Sequence, residues 1–195
     1  ENNTFAQESG RYSFQSISED HLLYPWFESK VLSKLRERLN PDMKIYFGAY
    51  LQSIKPFRVH SDYYHKRPGT RPFLGIVIPV SVSSGNISDA ATVVFNELDV
   101  HVDDDIDILE RRHNFSHWRD RNLPVLENNV TSLKQSYLSH CHDSDLERLT
   151  LKGIFHWKPG SVIYWDNRLL HCSNNYHDSG IDAKQAIVIH SYVVY

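Results

Sequence analysis

LKGIFHWKPGSVIYWDNRLLHCS, residues 151–173, decides how the rest of the chain is read. β-Branched and aromatic residues gather in three short runs, 151–157, 161–165 and 169–173, with no helix-length segment between them. Lys158-Pro159-Gly160 is turn chemistry, because proline presets its own φ and glycine tolerates a left-handed one. The same composition recurs at 44–54 (KIYFGAYLQSI), 57–62 (FRVHSD), 72–83 (PFLGIVIPVSVS), 90–98 (AATVVFNEL) and 185–195 (QAIVIHSYVVY). Ser84-Gly85-Asn86 supplies a turn before the fourth of these. Eight short strands without intervening helices predict a mainly β fold of the sandwich or jelly-roll type, with helices only at its flanks.

One helix precedes the strands. Pro25 suits a first helical position, and Phe27, Val31, Leu35 and Leu39 recur every four residues on one face. Asn40-Pro41 ends it. Residues 1–20 are polar and are expected to be loose. The segment 99–150 interrupts the strand pattern, with acids from Asp99 to Glu110 and then Arg111 and Arg112. A helix is expected there from about Ser132 to Leu149. The segment reads as an insertion between the fourth and fifth strands, either a solvated surface excursion or a lid over a site. Residues 1–195 are read as a single domain carrying that insertion.

Composition narrows the function. The chain has 195 residues, 41% hydrophobic and 23% charged, values ordinary for a globular domain with a sizeable core. A net charge of −3 leaves no basic footprint for nucleic acid. No apolar run approaches the roughly 20 residues of a membrane helix. Cys141 and Cys172 are too few for a disulfide framework, so a reducing, cytoplasmic setting is the expectation. The sequons at Asn2, Asn86, Asn114 and Asn129 do not outweigh it, because an Asn- and Ser-rich chain produces such triplets by chance. No G-x-S-x-G or glycine-rich phosphate loop is present.

Histidines carry the chemistry that remains. Iron(II) that must activate O2 needs protein ligands on one face only, and two imidazoles with one carboxylate leave three positions open. In a strand, residues i and i+2 share a face, so a His-x-Asp pair can supply two of the ligands. His60-Ser61-Asp62 meets this condition, and so does His101-Val102-Asp103. His60 closes the second strand candidate, whereas His101 enters an acidic run unsuited to a buried strand, so His60 and Asp62 are preferred. The third ligand must come from a late strand, and His171 ends the strand–turn–strand run GSVIYWDNRLLH. His156 precedes a turn, His140 and His142 fall in the insertion, and His190 reads as a core or rim histidine.

In these motifs the sequence resembles the Fe(II)/2-oxoglutarate-dependent dioxygenase superfamily. Its pattern is H-x-D, a distal His, and a basic residue opening the last strand; here those are His60-Ser61-Asp62, His171 and Lys184. Tyr50 and Asp62-Tyr63 resemble the prolyl-hydroxylase-like branch, and PGSVIYWDNRLLHCSNN resembles the phytanoyl-CoA hydroxylase branch, with Ser173 as a second carboxylate contact. The resemblance implies a double-stranded β-helix, cupin-like, with iron held by His60, Asp62 and His171. It implies that Lys184 and Tyr50 bind the far carboxylate of 2-oxoglutarate. It also implies that O2 and 2-oxoglutarate are consumed in hydroxylating an unactivated C–H bond of a small-molecule or peptidyl substrate. Lys184 stands 13 positions after His171, which requires a long turn over 177–182; Arg168 and Arg71 are the alternative cations. Tyr164, Trp165 and Arg168 are expected near substrate, with Trp165 reading more readily as core, and His117-Trp118-Arg119 could close over it. Cys172 is expected to face away from the site as a small core residue. Two rival functions remain: a cupin-like metal enzyme without 2-oxoglutarate, which needs an extra liganding His or Glu near the triad, and a non-catalytic jelly-roll binding module, in which the three residues do not cluster.

Overall fold

Strand-forming residues recur from Lys44 onward, and most of the described backbone there is strand, turn and short connection. The structure, a computed structural model, describes residues 6–9, 12–62, 69–98, 130–147 and 149–194. In chain order the strands are β1 (Ala6–Ser9), β2 (Tyr12–Ser16), β3 (Lys44–Ser53), β4 (Thr70–Val82), β5 (Ala91–Leu98), β6 (Leu151–His156), β7 (Ile163–Asp166), β8 (Leu169–Ser173) and β9 (Lys184–Val194). They form a six-stranded sheet of order β1-β2-β3-β9-β4-β7 and a three-stranded sheet of order β6-β5-β8. Every ladder described is antiparallel.

Alternation along the strands sorts the apolar residues into three clusters. Ala186 and Val188 of β9, Ile163 and Trp165 of β7, Val94 of β5 and Leu169 of β8 meet between the two sheets. Ile187 and Ile189 of β9 point to the other face of the large sheet, where Phe27, Leu32 and Leu35 cover them. Val93, Phe95, Leu170 and Cys172 point to the outer face of the small sheet, beneath Leu138 and Leu146. Cys172 thus faces away from His171, as alternation predicts.

The helix expected from Pro25 to Leu39 is present with a defect. α1 (Tyr24–Phe27) runs into a π-helical turn at Glu28–Leu32 and then α2 (Ser33–Arg38). The wider turn advances the buried stripe by one position. Phe27, Leu32 and Leu35 are buried, and Val31 is only partly so.

Three further expectations are corrected. Residues 57–62 form no ladder; they contribute one isolated bridge, in which His60 and His171 exchange backbone hydrogen bonds of 2.9 and 2.8 Å. The first 20 residues are not all loose, since β2 extends the large sheet by pairing with β3. The helix expected over 132–149 is two pieces, α3 (Val130–Ser136) and α4 (Asp143–Leu146), with His140 and His142 between them. This part of the insertion packs on the outer face of the small sheet. The rest of the insertion, with His101, Asp103 and the His117-Trp118-Arg119 lid, lies outside the described residues, as does Tyr63.

Candidate metal centre

The isolated bridge is the local device that builds the site. It sets His60 directly beside His171, their rings 4.3 Å apart between centroids. Side chains anchor the rest of the segment. Ser173 Oγ accepts the Phe57 N–H at 2.7 Å, the His140 ring bonds the Phe57 carbonyl at 2.9 Å, and Arg58 Nε donates to Asp145 at 2.9 Å. Residues of the insertion therefore hold the backbone that presents His60.

Asp62 lies between the two imidazoles. Its Oδ1 is 3.6 Å from His60 Nε2 and its Oδ2 is 3.2 Å from His171 Nε2. One donor atom from each of His60, Asp62 and His171 lies within 4.8 Å of the other two. The tautomers are set from behind: His60 Nδ1 faces the Arg58 carbonyl at 2.7 Å and His171 Nδ1 faces the Leu169 carbonyl at 3.0 Å. A ring that donates Nδ1–H to a carbonyl keeps its Nε2 lone pair for a cation. The donor set therefore fits a divalent metal bound on one face. His60 keeps 26% of its side chain exposed against 10% for Asp62 and 6% for His171, so the open side adjoins His60.

The charges agree with that arrangement. Burial, reinforced by His171, lowers His60 to a pKa of about 4, so it is a neutral ligand at pH 7. Burial opposes ionisation of Asp62, but His190, His171 and His60 together hold its carboxyl well below the usual range. His171 is raised despite burial, chiefly by Asp62.

The remaining expected residues are placed as follows. Lys184 opens β9 and is buried, its Nζ 4.4 Å from the Trp157 ring centroid and 5.1 Å from that of Tyr176. Among the described residues it has no carboxylate partner, and burial lowers its pKa to about 7. Ser173 is buried, but its hydroxyl is engaged by Phe57. Tyr50 is not brought to the cluster. It stands opposite Ile187, on the helix-covered face, whereas Ala49 and Leu51 stand opposite Val188 and Ala186 of the inter-sheet core. Arg168 is exposed and pairs with Asp166, and Arg71 and Tyr164 are exposed. Trp165 is buried against His171, with ring centroids 4.5 Å apart. The turn between His171 and Lys184 holds a 3₁₀ segment, Tyr176–Ser179, closed by Gly180 at φ 74°.

Sequence reasoning set His190 aside as a core or rim histidine. It faces Asp62, with Nδ1 3.7 Å from Oδ2, and packs on Tyr46 and Phe47. The available signal was parity: His190 is an even number of residues from Lys184, so both share one face of β9.

No family model matches the sequence, and no curated protein matches it. Solved structures do. EvdO2 from Micromonospora carbonacea var. aurantiaca matches at TM-score 0.50 and 14% identity over 93% of this chain and 66% of its own. SnoK, a non-heme alpha ketoglutarate dependent carbocyclase from nogalamycin biosynthesis, matches at TM-score 0.48 and 14% identity over 94% of this chain and 64% of its own. HygX from Streptomyces hygroscopicus, solved with nickel and 2-oxoglutarate bound, matches at TM-score 0.47 and 11% identity over 96% of this chain and 72% of its own. The chain thus spans just under two thirds of the length of EvdO2 and SnoK, and the likeness to EvdO2 is one of fold.

Proposed function

We propose that this chain is a double-stranded β-helix oxygenase that uses ferrous iron, 2-oxoglutarate and O2 to hydroxylate an unactivated C–H bond of a small-molecule or peptidyl substrate. The observation that carries the reading is the convergence of His60 Nε2, His171 Nε2 and the Asp62 carboxylate. Three ligands on one side leave room for a chelating co-substrate and O2 on the other. When bound, iron and 2-oxoglutarate supply the oxidising chemistry, with succinate and CO2 as by-products. The chain's own residues orient and enclose. Lys184 offers a buried ammonium with no carboxylate partner among the described residues, the partner a dicarboxylate provides. Trp165 packs on His171 at a tilt, and both side chains are buried.

Two observations weigh against the rivals. A binding module does not require the three donors to converge. A 2-oxoglutarate-independent enzyme with an extra histidine ligand gains some support from His190, but it leaves the buried ammonium of Lys184, which has no carboxylate partner among the described residues, without a purpose.

Adding iron(II) and then 2-oxoglutarate without oxygen should produce the visible charge-transfer band of the chelate. A colourless sample at saturating concentrations of both refutes the reading. Succinate formation screened with free proline, peptidyl proline and small lipophilic acids would then separate substrate classes.

A further inference from the structure

Four buried side-chain atoms lack a hydrogen-bond partner among the described residues: His140 Nδ1, Trp165 Nε1, Asn167 Oδ1 and His190 Nδ1. An unmet buried donor or acceptor costs about 1–3 kcal/mol, so such atoms ask for an explanation. Two of them meet at one place. His190 Nδ1 is 3.7 Å from Asp62 Oδ2. A Cβ on Gly75 would stand 3.0 Å from Trp165 Nε1 and 3.2 Å from Asp62 Oδ2, so the indole N–H and the same carboxylate oxygen border one small space that only glycine leaves open. Neither ring can easily turn away. Trp165 is buried against His171, and His190 is wedged between Tyr46 and Phe47. The Asp62 main chain is fixed as well, since Tyr46 Oη donates to its carbonyl at 2.8 Å and Asn167 Nδ2 donates to Tyr46 Oη at 2.9 Å.

We infer that Trp165 and His190 are positioning residues that hold the Asp62 carboxylate and restrict its swing about the metal. The inference rests on the metal-centre reading. A carboxylate has acceptor capacity on both oxygens and can swing to grip a cation with both. Bidentate binding would fill a position that the co-substrate or O2 requires. His190 Nδ1 and the Trp165 indole border Oδ2, which also faces His171 Nε2 at 3.2 Å, and Gly75 leaves open the space they share.

Cobalt(II) serves as the probe because its visible bands report ligand number without turnover. Trp165→Phe, His190→Leu and Gly75→Ala should each weaken cobalt(II) binding about 10–100-fold, the usual effect of losing a partner of a metal ligand. Each should also change the band pattern. His190→Asn, whose amide nitrogen reaches the place of Nδ1, should restore the wild-type spectrum. Circular dichroism of the metal-free variants verifies their folding, and the three substitutions act on different strands, so one that misfolds leaves the others decisive. Wild-type affinity and spectrum in the folded variants overturn the inference while the metal centre stands. Wild-type protein that binds no cobalt(II) overturns both.

Discussion

Lys184 is a buried amine with no carboxylate partner among the described residues. Burial takes its pKa from the ordinary 10.5 to about 7, and the sign of the consequence follows. Between those two values the unfolded chain binds more protons than the folded one, so stability rises with pH. The cost is present in full below about pH 7 and is relieved as pH climbs toward 10.5. Lys184→Met should therefore raise the melting temperature of the metal-free protein at pH 7, by roughly 2–4 °C for each kcal/mol recovered, and flatten its pH dependence. The same change should abolish 2-oxoglutarate binding. In the wild type, co-substrate affinity should fall roughly tenfold per unit as pH rises beyond about 7, because only the protonated amine attracts a carboxylate. A variant with unchanged melting temperature and unchanged 2-oxoglutarate affinity would sink this account.

At the scale of elements, the π-helical turn at Glu28–Leu32 shows how one extra residue redistributes a helix face. A strict four-residue recurrence makes Val31 the buried position. The π turn makes it Leu32, which packs on Ile76 and Ile189 of the large sheet in the helix-covered cluster. Leu32→Ala should cost about 2–5 kcal/mol, as for other buried leucines, and Val31→Ala distinctly less. Urea melts of the two variants decide the matter, and equal losses would mean that the stripe follows the regular period after all. Element structure also explains Tyr50. The ladder between β3 and β9 is irregular between Ile45 and Phe47, and regular from there to Ser53. Phe47, Ala49, Leu51 and Ser53 therefore share the face of His190 and Lys184, and Tyr50 takes the other.

Across the whole molecule, the candidate ligands come from separate units. His171 belongs to the small sheet, His60 and Asp62 to an unladdered connection, and the flanking His190 and Trp165 to the large sheet. A metal bound among them would add a tie between these parts beyond packing and the His60–His171 bridge. Iron(II) or cobalt(II) at about 100 times its dissociation constant should stabilise the fold by about 2.7 kcal/mol, a rise of roughly 5–11 °C in melting temperature for a chain of this size. His171→Ala should eliminate that rise, and a chelator should reverse it in the wild type. A metal-dependent shift that survives His171→Ala would place the binding elsewhere.

Sequence by itself determined where strands form, because residue type and period act over a few neighbours. Seven of the eight expected runs are strands, and type, spacing and chain order singled out His60, Asp62 and His171, whose donor atoms the structure brings within 4.8 Å of one another. Tertiary structure decided what depends on partners far along the chain. Residues 57–62 have strand composition, yet beyond one bridge to His171 they are held by Ser173, His140 and Asp145 instead of a ladder. Residues 12–16 look polar and loose, but the edge of β3 gives them a partner. The side of β3 on which Tyr50 falls, and the approach of His190 and Trp165 to Asp62, follow from register, bulges and the packing of two sheets. Those are properties of strand pairs brought together across a hundred residues or more, and no short window of sequence contains both members.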